Sequence, residues 1–408
     1  MIPLAGLPQV VSIQDLSAAR EVMEGMAVSA PGVSIMEKKA LFRVVRLKGL
    51  DVRAANILKQ EMLSRGGEVA ISRDVYELRR GREAECLVMG TVSQFERLLP
   101  KLKDQPFGLR PVGEAMAAAL THYDQSQVVC HECLGESVRP VVMGVINVTP
   151  DSFSDGGDYL ETDAAVKRAW EMAEEGAGII DIGAESTRPW SAAIDSDQEL
   201  ARLLPVLRNL GPDFSVPISV DTSKARVAAA ALEAGAGMVN DITAMRGDPE
   251  MAAVVRDAGC PVILVHMKET PATMQDEPVY ENVVEEVYEF LAERLSWAVD
   301  QGIPEANLMV DPGIGFGKTI EHNLQLLRQL RGLRCLGRPV VLGASRKAFL
   351  GRLLGLAEPK KRVAGTLVTT VLAAMQAVDV VRVHDVKENV QAAVLTRALF
   401  PPESTFNL

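Results

Sequence analysis

Eight short apolar runs between residues 141 and 384 each close on a side chain that can do chemistry: VVMGVI on Asn147, GII on Asp181, PISV on Asp221, GMV on Asn240, PVILV on His266, NLMV on Asp311, PVVLGA on Ser345 and DVV on Arg382. Asp221, Asn240 and Asp311, with Lys347 just past the seventh run, form a mixed hydrogen-bonding set. The two carboxylates accept from an amino group and a ring N–H, while the amide and the ammonium donate to a carbonyl oxygen. That combination suits a flat, nitrogen-rich heterocycle. A salt-bridged cluster serving stability alone is the competing reading, but buried charges are too costly to collect without a further reason.

Anion chemistry has its own residues. Arg382 and His384 stand one residue apart in the extended segment VRVHDV, so alternation aims both to one side. In DIGAESTRPW, Thr187 and Arg188 pair a hydroxyl with a guanidinium fork that matches phosphate or carboxylate. A surface ion pair between Glu185 and Arg188 explains the same two charges. Asn147 offers an amide oxygen to Mg²⁺, a metal that prefers oxygen donors, keeps several waters and bridges to substrate phosphates.

Two apparent motifs fail on spacing. DPGIGFGKT, residues 311 to 319, has Pro312 where a nucleotide P-loop needs glycine, and Lys318 where a dinucleotide fingerprint needs its third glycine. Its glycines are expected to let the backbone pass close to a ligand or another loop, with Lys318 solvated. Cys130 and Cys133 make one CxxC without a second, read as part of a strand-turn-strand plug rather than a zinc or redox site. His266 is read as structural.

Almost every pair of successive runs leaves room for a helix, which makes the pattern βα repeated eight times. Such a chain closes most economically into a (β/α)8 TIM barrel with its active site at the C-terminal strand ends. The helices carry punctuation. Asp248 before Pro249 predicts an N-cap and first turn, with Gly259 as the stop; Ser196 and Glu199 predict a capping box. Thr162 and Asp163 precede a helix that stops at Gly176, another long helix stops at Gly302, and Pro205 should kink or split its helix.

Ahead of the barrel, residues 1–125 read as β-α-β-β-α, a small α+β domain resembling a split βαβ unit, with 126–140 as a connector and 141–408 as the barrel. The chain has 408 residues, 48% hydrophobic and 24% charged, enough for a large core. A net charge of −11 argues against nucleic-acid binding. Five cysteines, no basic leader and no uncharged run of about 20 residues point to a reducing cytoplasm and to no membrane span.

NVTPDSFSDGG, DIGAESTRP, SVDTSK, NDI, HMKETPATMQ, DPGIGFGK, SRK and RVHDV, in this order and spacing, resemble the dihydropteroate synthases, folate-pathway enzymes and sulfonamide targets, over about residues 138 to 400. The resemblance implies condensation of p-aminobenzoate with 6-hydroxymethyl-7,8-dihydropterin pyrophosphate, releasing pyrophosphate. It implies Asn147 as the Mg²⁺ ligand. Asp221, Asn240, Asp311 and Lys347 would hold the pterin, with Arg382 against its face and Asp181 nearby. Thr187, Arg382 and His384 would meet the pyrophosphate, and Arg188, Phe316 and Ser345 would border p-aminobenzoate. Lys347, Arg382 and His384 are the expected catalytic groups, and a homodimer is the family expectation. Ala184 and Trp190 depart from the usual glycines of the second loop. The alternatives are a pterin-dependent corrinoid methyltransferase and a non-catalytic pterin-binding module.

Overall fold

The computed structural model describes residues 9–76, 83–124, 139–149, 158–186, 194–270, 273–274 and 278–400, which form two compact units. In the first, β1 (Phe42–Asp51), β2 (Glu68–Ile71) and β3 (Glu83–Thr91) make an antiparallel sheet in the order β1-β3-β2. The helix Val52–Leu63 carries the chain from one side of β3 to the other, as a split βαβ unit requires. Alternation along β3 turns Ala84, Cys86 and Val88 onto Leu58, Met62, Phe95 and Leu98. Three helices, Leu16–Gly25, Ala30–Ala40 and Leu109–Asp124, and a short helical turn, Arg73–Tyr76, where a continuing strand is expected, depart from the β-α-β-β-α expectation.

The second unit contains β4 (Val141–Asn147), β5 (Ile179–Gly183), β6 (Ile218–Asp221), β7 (Met238–Asp241), β8 (Val262–Val265), β9 (Leu308–Asp311), β10 (Val341–Leu342) and β11 (Val380–Val383). All neighbours pair in parallel in the order β10-β11-β4-β5-β6-β7-β8-β9, and a parallel bridge between Val310 and Val340 joins the ends. That is the expected (β/α)8 barrel. Two cores follow from burial on both faces. Met143, Ile179, Met238, Ile263 and Met309 fill the interior, while Ile180, Ile182, Val220, Val239 and Leu264 pack outward on the helices.

Local punctuation shifts by a few residues. The helix after β4 runs Asp158–Glu174, starting before Thr162. The helix Ser196–Leu210 is capped by Asp195, whose side chain accepts from the Gln198 N–H, and Glu199 turns inward instead of closing a capping box. This helix continues through Pro205 without a break. Asp248 does not cap the helix Met251–Ala258 directly; its carboxylate accepts from the Glu250 and Ala225 N–H groups, and Gly259 ends that helix at φ +64° as expected. Among the described residues, no helix is long and apolar enough to cross a membrane.

Candidate active site

The strand ends gather one polar floor. Arg382, on β11, donates from Nε to Asp181 Oδ2 on β5 and from Nη2 to Asp221 Oδ2 on β6, both at 2.6 Å. Asp181 is wholly buried, and its Oδ1, the Asp221 Oδ1 and the Ser219 hydroxyl have no donor or acceptor beside them. Ser219 stands opposite Asp181 in register, and Asn240 opposite Asp221, so these groups occupy adjoining positions on three strands. Burial pushes the Asp221 carboxyl up to about 7, although the Arg382 charge opposes the shift.

Asp311 closes the other side. Its Oδ1 accepts from the Gly313 N–H at 2.6 Å, and its Oδ2 faces Gly343, which lies between Asp311 and the Arg382 stem. Burial raises this carboxyl too, against the pull of Lys347. Lys347 Nζ donates to the Ile314 carbonyl and rests 4.3 Å from the Phe316 ring centroid, a cation–π contact. Burial lowers its ammonium to about 8, with Asp311 acting the other way. Thus Asp181, Asp221, Asn240, Asp311, Phe316, Lys347 and Arg382 are brought to one end of the barrel.

At the rim, the Ser345 hydroxyl lies 3.0 Å from His384 Nδ1 and accepts from the His384 N–H at 3.2 Å. Arg346, the residue between Ser345 and Lys347, adopts φ +57° and is held by Asp385 at 3.0 Å. Asn147 ends β4, half-buried and level with Gly183. Thr187 and Arg188 lie outside the described residues, as do Trp190, Cys130, Cys133 and most of the first loop. Glu185 does not need Arg188 as its partner: it accepts from Lys224 Nζ at 2.8 Å and from the Ile194 N–H at 3.0 Å.

Sequence reasoning placed Lys318 in solvent, and the fold puts it in the interior. Its Nζ reaches His266 Nδ1 at 2.8 Å and the Gly313 and Phe316 carbonyls at 3.0 Å each. Burial holds its pKa well below the ordinary lysine value and takes the His266 imidazole down to about 2, so the ring is neutral and accepts. The three glycines of this loop pass against another loop, as expected. A Cβ on Gly313 (φ +64°) would lie 1.8 Å from the His266 carbonyl oxygen, and one on Gly317 (φ +62°) 2.8 Å from Lys268 Cβ. The glycines hinted that this segment was crowded; only the fold shows that the lysine is enclosed with it.

Comparison with known proteins meets this geometry. The profile of the pterin binding enzyme family matches residues 143–384. A probable bifunctional folylpolyglutamate synthase/dihydropteroate synthase of Halobacterium salinarum is 40% identical over 386 residues, covering 95% of this chain and 46% of that protein. The chain therefore spans about half the length of that relative. The dihydropteroate synthase of Clostridium beijerinckii is 43% identical over 259 residues, covering 63% of this chain and 93% of its own. Among solved structures, Xanthomonas albilineans dihydropteroate synthase with 4-aminobenzoic acid superposes with a TM-score of 0.63 at 44% identity, over 67% of this chain and 99% of that one. The family match covers more than half of the chain and coincides with the barrel and its floor, so the chain belongs to the pterin binding enzyme family, alongside the dihydropteroate synthases.

Proposed function

We propose that this chain is a dihydropteroate synthase that joins p-aminobenzoate to 6-hydroxymethyl-7,8-dihydropterin pyrophosphate. The observation that carries the reading is the floor itself: two buried carboxylates share one guanidinium and each keeps an oxygen without a donor, beside Asp311 and Lys347. A pterin supplies amino and ring N–H donors to such oxygens and a ring carbonyl to the lysine. Asp221, Asn240, Asp311 and Lys347 hold this ring, with Asp181 keeping Arg382 in place. The relative seen with 4-aminobenzoic acid supports the second substrate, and Phe316, Ser345 and Arg188 are the residues proposed to border it.

In the reaction the arylamine nitrogen forms a bond to the pterin methylene as the C–O bond to the diphosphate breaks. The neutral amine already carries its lone pair, so a strong general base is not needed; the released proton passes to solvent. The barrier lies in the departing diphosphate, whose charge Arg382, His384 and Thr187 meet. The bond to the leaving group breaks well before the new one forms, which leaves carbocation character on the methylene.

Asn147 suits Mg²⁺ as a single amide oxygen. Mg²⁺ keeps several waters and reaches substrate phosphate, so one amide oxygen from the protein would suffice. When bound, Mg²⁺ neutralises charge on the diphosphate. A homodimer is supported by the helices Val363–Met375 and Val386–Leu399, which leave Val368, Leu395 and Leu399 more than half exposed. Incubation of the protein with the pterin pyrophosphate, Mg²⁺ and p-aminobenzoate should give dihydropteroate, suppressed by a sulfonamide. Folded protein that forms no product would refute the activity and favour a pterin-binding module or a methyltransferase.

A further inference from the structure

Lys318 holds a fully buried amino group away from the polar floor, and nothing in the proposed chemistry uses it. Its donors go to the Gly313 and Phe316 carbonyls of its own loop and to His266 Nδ1 at the end of β8, with the His266 carbonyl a further 3.4 Å contact. Three close acceptors thus surround Nζ. A second tie crosses the same loop: the Tyr280 hydroxyl donates to the Gly317 carbonyl at 2.8 Å. The Tyr280 ring is itself braced edge-on by His322, and that of His266 by Phe290. The loop so fixed carries Phe316, and its Ile314 carbonyl receives Lys347.

We propose that Lys318 and Tyr280 are positioning residues that clamp the 313–317 loop, setting Phe316 where p-aminobenzoate must lie. This rests on the p-aminobenzoate reading above. Three left-handed glycines make the loop able to fit the crowded gap but contribute no side-chain contacts to hold it there. The holding falls to the carbonyls, and the carbonyls are held by these two side chains. Neither residue touches substrate in this arrangement.

The test uses the full chain, with Lys318→Met, which keeps the stem and removes the donors, and Tyr280→Phe, which removes one hydroxyl. Expected for Lys318→Met is a rise in KM for p-aminobenzoate of about tenfold, and for Tyr280→Phe about threefold, in line with lost buried hydrogen bonds. The kcat at saturating p-aminobenzoate should stay within about twofold. Hydrogen–deuterium exchange should quicken in a peptide spanning 311–319 while peptides from β5 and β6 stay as protected as in the native protein. A merely structural role would lower the active fraction, and with it kcat, leaving KM unchanged. Unchanged KM in both variants, or unchanged exchange in the 311–319 peptide, overturns the proposal. Should Lys318→Met fail to fold, Tyr280→Phe decides alone. An inactive native protein would refute the synthase reading instead, and the exchange measurement would still judge the clamp.

Discussion

On the proposed reading, pterin capture by this floor needs Asp221 as a carboxylate, to accept N–H groups, and Lys347 as an ammonium, to donate. Burial works against both. It lifts the first carboxyl to about 7 and lowers the second group to about 8, so both working forms coexist only in a narrow window. Multiplying the two ionised fractions puts the maximum near pH 7.5, with activity about sixfold lower at pH 6 and about twentyfold lower at pH 9.5. The quantity that reports the free enzyme is kcat/KM for the pterin substrate, measured at fixed Mg²⁺ and saturating p-aminobenzoate from about pH 5.5 to about 10. The diphosphate titrates near pH 6 itself, so calorimetric binding of a pterin lacking it should trace the same two limbs. Asp221→Asn should abolish the acid limb and Lys347→Gln the alkaline one, each with a general loss of about 10- to 100-fold from a charged hydrogen bond. A native profile flat from about pH 6 to 9.5, or limbs that survive in both variants, would refute the reasoning.

Arg382→Met should destabilise the barrel by about 3–5 kcal/mol at pH 8, because it leaves two buried carboxylates without their shared cation. Asp221 already has a folded pKa of about 7 with Arg382 in place, and losing that cation raises it further, so its share of the gap is absent where both proteins hold it protonated and grows as pH rises through about 7. Urea denaturation should accordingly show the gap to the native protein narrowing as pH falls through about 7. Gly313→Ala meets both a left-handed backbone and the His266 carbonyl oxygen, and should cost at least about 3 kcal/mol, while Gly355→Ala, at φ +69° in open space, should cost about 1–2 kcal/mol. Equal losses in thermal unfolding would contradict that comparison. His384→Ala should lower kcat about a hundredfold in single turnover with little change in pterin KM.

The barrel was legible because parallel strands covered on both faces read as continuous apolar runs, and their polar ends mark the C-terminal rim. Asp221 and Asp311 end their strands as the runs imply, whereas β5 continues two residues past Asp181 and β10 is only two residues long, ahead of Ser345. Pairing to neighbours, not side-chain pattern, sets such limits. Partner choice was less legible. Glu199 and Ser196 satisfy a capping-box spacing, yet Glu199 is drawn inward by Lys224 at 2.6 Å, a contact between residues 25 apart. Lys318 misled for a related reason: lysine is almost never fully buried without acceptors, and those acceptors are backbone carbonyls whose positions no residue type announces. The first unit's sheet order follows from its strand and helix sequence, while its outer helices lie outside the β-α-β-β-α reading.

The two halves of the site differ in how completely their polar groups are served. Around Lys318 every donor has an acceptor, and the loop there is fixed before substrate arrives. Across β5 and β6 the reverse holds: Asp181, Asp221 and Ser219 each keep a buried atom unsatisfied, while one arginine serves two carboxylates. Native interiors leave few such atoms, because each costs about 1–3 kcal/mol. Concentrating them on adjoining strands at a barrel mouth makes the empty protein less stable and makes a ligand with matching N–H groups stabilising. On the proposed reading, ligand N–H groups that satisfy Asp221 would also hold it as a carboxylate, giving binding and the pH window one origin. A rigid wall beside an unsatisfied floor is the arrangement expected where one substrate is captured by hydrogen bonds and the other is placed by shape.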